Sequence, residues 1–180
     1  MGAAAVSLIG FAIGVARLPA KMRAASELPP MQQHAVFQEP YSFAAYLIMA
    51  TTTVVAVFYC LDSLQSERRD RSIWFWKSLP VSDLTTVLAK ACIPFVVLPL
   101  LNVAVTLAVH VTMVALASVV VAAAGLSVAT LWTHLGLPHL ALLLLYHMIA
   151  VHALWFAPIY GWLLLVSAWA RRAPFLWAVL

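Results

Sequence analysis

From Ala91 to Ala170 the chain carries no aspartate, glutamate, lysine or arginine. As one straight helix at about 1.5 Å per residue, that stretch would be about four times as long as a bilayer's hydrocarbon core is thick. It must therefore fold back at least once, inside or at the far side of a membrane. Soluble domains keep about a quarter of their residues charged, which holds their surfaces in water. Here only 9% of 180 residues are charged and 65% are apolar, with a mean hydropathy of +1.01. The fold expected is all-α, a polytopic transmembrane helical bundle with about four spans.

The net charge of +4 and isoelectric point near 9.4 do not point to nucleic acid. The basic residues flank apolar segments, where lysine and arginine set topology, and no basic face is left for a phosphate backbone. Cys60 and Cys92 stand at span ends without metal-type spacing and read as plain thiols.

Four apolar segments can be marked, at about 2–18, 41–61, 84–124 and 137–170. The second, Tyr41–Leu61, is free of charge throughout. Gly125, Ser127, Thr130, Thr133, His134, Gly136 and Pro138 form a turn-like cluster between the third and fourth. The link between segments two and three holds Arg68, Arg69, Arg71, Lys77 and Lys90, and segment four ends at Arg171 and Arg172. By the positive-inside rule both lie in the cytoplasm. The link between segments one and two then falls outside, against the pull of its own Arg17, Lys21 and Arg23. Its Leu28-Pro29-Pro30 and Gln38-Glu39-Pro40 stretches predict an irregular loop. Met1 opens directly into apolar sequence, unlike a signal peptide, and Pro174–Leu180 reads as the start of a fifth span. The sequence is thus expected to be part of a longer protein.

The link at 62–83 concentrates the chemistry. With its flank it holds Asp62, Glu67, Arg68, Arg69, Asp70, Arg71, Lys77, Asp83 and Lys90, set against an aromatic run of Ile73-Trp74-Phe75-Trp76. Such a segment suits a helix lying on a membrane surface. It suits equally an anchor filling a groove in a partner protein, where tryptophan and arginine carry most of the energy. The residues leave both readings open. Pro80 ends the element; Ser82 is placed to cap the third span, with Asp83 at the positive end of that helix.

The run Glu67-Arg-Arg-Asp-Arg-Ser-Ile-Trp-Phe-Trp-Lys-Ser-Leu-Pro-Val-Ser-Asp83, with Tyr59 and Asp62 ahead and Lys90 behind, resembles the ATP-binding-cassette type-2 exporter permeases. It is similar in particular to a bacterial subgroup with an Arg-Asp-Arg-Ser and Phe-Trp-Lys-Ser-Leu-Pro-Val-Ser-Asp signature. A second stretch, Pro158-Ile-Tyr-Gly-Trp-Leu-Leu-Leu-Val-Ser-Ala-Trp-Ala-Arg-Arg-Ala-Pro-Phe-Leu-Trp177, resembles the same subgroup. The resemblance implies a permease subunit of the bacterial inner membrane that pairs with a second permease subunit, identical or related. It implies two copies of a separate cytoplasmic ATPase, which uses ATP and magnesium. It assigns Glu67, Arg68, Arg69, Asp70, Arg71, Trp74, Phe75, Trp76 and Lys77 to the ATPase interface. Pro80 and Asp83 would shape the start of span three. Such permeases have six spans and an amphipathic segment before the first; this chain lacks that segment and ends before the last two.

No G-x-x-x-x-G-K-[ST] phosphate loop exists among the six glycines, so the chain is expected to be no enzyme and to hold no nucleotide or cofactor of its own. Beyond protein subunits, membrane lipid is its one expected partner. The histidines invite a metal or haem reading. Yet His147 and His152 are five apart, off one α-helical face, while His134 and His139 flank the turn and His110 stands mid-span. They are read first as structural. Gly10-Phe-Ala-Ile-Gly14 permits a close helix contact. Thr51, Thr52, Thr53, Asn102, Thr106 and Thr112 either line a path or bond within their own helices.

Overall fold

The computed structural model describes residues 2–25, 29–66, 82–170 and 177–178. Among them are helices and no strand: α1 (Gly2–Val15), α2 (Leu18–Ala25), α3 (Pro30–Asp62), α4 (Asp83–Cys92), α5 (Leu98–Ala123), α6 (Val128–Leu135), α7 (Leu137–His147) and α8 (Ala157–Trp169). Two π-helical segments, π1 (Ile93–Val97) and π2 (Met148–Trp155), join α4 to α5 and follow α7. Three continuous helical stretches are long and apolar enough to cross a bilayer: Gln32–Asp62, Asp83–Ala123 and Val128–Trp155. A fourth is reached if α1 and α2, bent by 68° at Ala16-Arg17, count as one. The 41 residues of Asp83–Ala123 extend about 60 Å, twice the hydrocarbon thickness. At one end of this stretch, in α4, Asp83 and Lys90 stand beside an exposed apolar stripe of Leu84, Val87 and Leu88.

Contacts divide the chain into two compact units. One comprises Met1–Ala50 and Asn102–Leu145; the other comprises Thr51–Leu101 and Tyr146–Leu180.

In the first unit the core joins Phe37, Tyr41, Ala44 and Ile48 of α3 to Val109, Met113, Ala117 and Val121 of α5, with Leu131 and Leu135 of α6. These residues recur at three- and four-residue steps, the helical period. His110 presents Nε2 to the Tyr41 carbonyl at 3.0 Å. A carbonyl only accepts, so Nε2 carries the proton and the imidazole ties α5 to α3. Thr106 donates to Asn102 at 3.3 Å and Thr112 to the Ala108 carbonyl at 2.8 Å. Both threonines are thus satisfied along their own helix.

Three sequence expectations change here. Pro30 and Gln38-Glu39-Pro40 do not form an irregular loop, and Leu28 lies outside the described residues. Pro30 opens α3, a position where its missing N–H is no loss, and the Pro29 carbonyl accepts from Gln32 and Gln33. Gln38 is held in the helix by its side-chain amide, whose Nε2 donates to the Leu135 carbonyl at 3.1 Å, one of the orphan acceptors at the end of α6. Pro40 lies inside α3.

The turn expected over 125–138 is two turns with a helix between them. Gly125 at φ 71° ends α5, and Gly136 at φ 56° ends α6. Ser127 caps α6, accepting from the Thr130 N–H at 3.4 Å, so Thr130 and Thr133 are helical residues. Gly136→Ala forces a Cβ into the left-handed region and is expected to destabilise the unit by about 1–2 kcal/mol. Thermal unfolding of the purified protein in detergent measures this. Lastly, no helix of the described residues seats against the Gly10/Gly14 pair: a Cβ built at either meets nothing within 4 Å.

Candidate functional site

The link at 62–83 begins and ends in the second unit, and the described residues show both of its roots. At the first, α3 finishes with Ser63 N–H bonded to the Tyr59 carbonyl at 2.9 Å and its hydroxyl donating to the Cys60 carbonyl at 3.3 Å. The next two amides leave the helix for a side chain over a hundred residues away. Leu64 N–H and Gln65 N–H both donate to Ser167 Oγ of α8, at 3.1 and 3.2 Å. Ser167 is fully buried, so this fastening is shielded from competing water. At the second root Ser82 is extended (φ −71°, ψ 148°) and its hydroxyl accepts the Thr85 N–H, at 3.2 Å. Asp83 stands in the first turn of α4, where a carboxylate meets the positive end of the helix.

Behind these roots lies a buried aromatic and polar cluster. Tyr160 of α8 is fully buried, and its hydroxyl lies 3.3 Å from His152 Nε2 on π2. Its ring meets Phe95 of π1 edge-on at 5.7 Å and stacks on Phe156 at 5.9 Å. Ala56, Cys60 and Leu61 of α3 with Leu163, Leu164 and Val166 of α8 complete the core. The two π segments pack against each other, and each stands beside a proline. Pro94 has no N–H for the Lys90 carbonyl, which the Ile93 N–H takes instead, and Leu98 then bonds back five residues to Ile93. Pro158 likewise cannot serve Leu154, and Phe156 N–H reaches the Leu154 and Val151 carbonyls. A proline that withdraws a donor explains why helical register slips here. Short π segments of this kind are frequent at functional sites.

Of the residues that the resemblance assigns to the ATPase interface and to the start of span three, Asp83 alone is among those described. Glu67, Arg68, Arg69, Asp70, Arg71, Trp74, Phe75, Trp76, Lys77 and Pro80 lie outside the described residues, as do Arg171 and Arg172. His110 serves the first unit, His152 is buried on Tyr160, and His147 remains half-buried. Among the described residues no three of histidine, cysteine, aspartate and glutamate are grouped to hold a metal ion. Cys60 is buried, Cys92 is exposed, and both are free.

Sequence reasoning did not single out Ser167 or Tyr160. Both belong to the second stretch that carried the resemblance, Pro158–Trp177, and that was the available signal. The structure joins this stretch, through Ser167, to Leu64 and Gln65, just ahead of the first.

An all-helical chain with three apolar helices of membrane length, and apolar side chains such as Phe43, Trp155 and Trp169 facing outward, is a multi-pass integral membrane protein. Residues 31–135, more than half of the chain, match the family described as membrane proteins of 12 TMs. The chain belongs to that family. No curated protein matches it, and no solved structure does.

Proposed function

We propose that the chain is the membrane-spanning permease subunit of an ATP-driven type-2 exporter in a bacterial inner membrane. It couples hydrolysis in a separate ATPase to movement of a substrate. The seventeen-residue signature Glu67–Asp83 supports this reading by resemblance. The observation that carries it is mechanical: the root of that link is fastened by two hydrogen bonds to Ser167, inside the second stretch similar to the same permeases.

Two ATPase subunits would sit below a pair of permease subunits. Arg71, Trp74, Trp76 and neighbouring charges of the link would fill a groove on each ATPase. When ATP and magnesium close the ATPases, the link moves and pulls on two roots, the end of α3 and the start of α4. Ser167 passes the first displacement to α8, and π1 and π2 supply helical segments whose register can shift. Rocking of the spans between inward and outward access follows as a rigid-body switch.

The test is capture of the ATPase encoded beside this chain by the full-length protein in detergent. Wild type is compared with the Trp74→Ala, Trp76→Ala, Arg71→Ala variant. Interface anchors of these types are worth about 2 kcal/mol or more each, so the triple variant is expected to bind at least about thirtyfold more weakly. If the wild type captures no ATPase, the link is a membrane-surface anchor and the exporter reading falls.

A further inference from the structure

A groove of about 450 Å³ runs along the first unit between α1–α2 on one side and α3 on the other. That volume falls within the range of about 300–1,000 Å³ typical of small-molecule sites. Its walls are apolar, with Phe11, Phe43 and Met113 among them, and Gly10 and Gly14 line it without side chains. A Cβ at either glycine would meet open space, so no helix of the described residues fills the slot.

Ser7 also lines it, its hydroxyl bonded to the Ala3 carbonyl at 2.9 Å, and the remaining exceptions to this apolar lining decide what fits. Lys21 of α2 and Glu39 of α3 both line the groove, both are exposed, and neither pairs with an opposite charge among the described residues. Lys21 lies beyond the 68° bend between α1 and α2, on the side where the chain passes from α2 to α3. Pro40 adds a third polar feature. It has no N–H to offer the Val36 carbonyl, and both residues line the same groove.

We infer that this groove is a binding site for one phospholipid with a zwitterionic primary-amine headgroup, of the phosphatidylethanolamine type. An acyl chain lies in the glycine-floored slot. The phosphate meets Lys21, and the ammonium donates to Glu39. The charge pattern selects this occupant over others. A transmembrane helix from a second copy would cover the slot with apolar side chains and leave two opposite charges without partners. A phosphatidylglycerol headgroup would satisfy Lys21 but offer Glu39 only neutral hydroxyls, with no cation to balance the carboxylate. A choline headgroup has no N–H to give a carboxylate, whereas an ethanolammonium has three. The inference stands apart from the exporter reading, since it uses no residue of the link.

The test is native mass spectrometry of the full-length protein released from nanodiscs of equal dioleoyl phosphatidylethanolamine, phosphatidylglycerol and phosphatidylcholine. Wild type is expected to retain one phosphatidylethanolamine, at least about fivefold above either other lipid, the margin that one charge-assisted contact provides. Gly14→Leu, which fills the slot, is expected to lose it. Lys21→Glu changes only an exposed side chain, so it keeps the fold and is expected to lose the same adduct. Lys21→Glu combined with Glu39→Lys is expected to recover it, because a zwitterion can reverse. Equal retention of the three lipids overturns the proposal, as does an adduct that survives Gly14→Leu. Efficient disulfide crosslinking between two copies through Gly10→Cys also overturns it and makes a second copy the occupant.

Discussion

Ser167→Ala is expected to release the root of the link while leaving the ATPase-binding residues untouched. The hydroxyl it removes accepts from both Leu64 and Gln65; the serine is fully buried and the two residues that donate to it are half-buried. An unsatisfied buried amide costs about 1–3 kcal/mol, so losing the acceptor for two of them weakens the fastening by about 2 kcal/mol or more. Hydrogen exchange at Leu64 and Gln65 should accelerate by at least about thirtyfold. Ser167→Thr keeps the oxygen and should hold near the wild-type rate. If neither amide changes its exchange in Ser167→Ala, the fastening is not what orders this root. In the exporter reading the same variant still captures the ATPase. Yet it loses most of the stimulation of ATP hydrolysis, which separates transmission from docking.

Tyr160→Ala should be the most damaging single substitution in the second unit. The ring touches His152, Phe95 and Phe156 at once, and it joins α8 to both π segments. Truncating a buried aromatic residue costs about 3–5 kcal/mol in soluble cores. Lipid, unlike water, solvates an exposed ring well, so between membrane helices the packing contacts remain as the main loss. About 3 kcal/mol is therefore expected, read from denaturant or thermal unfolding in detergent. Tyr160→Phe tests the polar part alone. It leaves His152 without its partner, and the expected loss is about 1 kcal/mol, in keeping with hydrogen bonds measured between membrane helices. Adding His152→Leu to Tyr160→Phe should recover part of that loss, since replacing both partners leaves no polar atom stranded. A Tyr160→Phe variant as unstable as Tyr160→Ala would show that the hydroxyl, rather than ring packing, holds the cluster.

The membrane character of the chain was legible because a bilayer makes one demand of every residue in a span, and composition records it directly. Ser82 and Asp83 were legible for a related reason: a cap acts on the three residues that follow it, so its signal is local. The helical conformation of Gln38-Glu39-Pro40 was not. Proline and two polar side chains read as a loop, yet they lie within the 33 residues of α3, where the Gln38 amide also meets a carbonyl far along the chain, at Leu135. The Gly125–Pro138 stretch showed the converse error. Each glycine marks a turn correctly, but residue types alone did not reveal that Ser127 starts a helix between them. The glycine pair of α1 permits a close helix contact by its spacing. Spacing states that a close approach is possible, and only a neighbour's position states whether one occurs.

For the candidate site the division is the same. The charges and aromatics of the link stand together in the sequence, so their concentration could be seen without a fold. Ser167 and Tyr160 look like ordinary residues of an apolar span, and nothing within a few positions distinguishes them. Their roles arise from partners about a hundred residues away or across a helix whose register has slipped by one bond. Sequence by itself determined what must leave water: which segments are apolar, where charges stop them, and where prolines withdraw a donor. Tertiary structure alone decided which buried polar atoms meet, because a hydroxyl, an imidazole or a carbonyl in an apolar interior is defined by the partner that satisfies it.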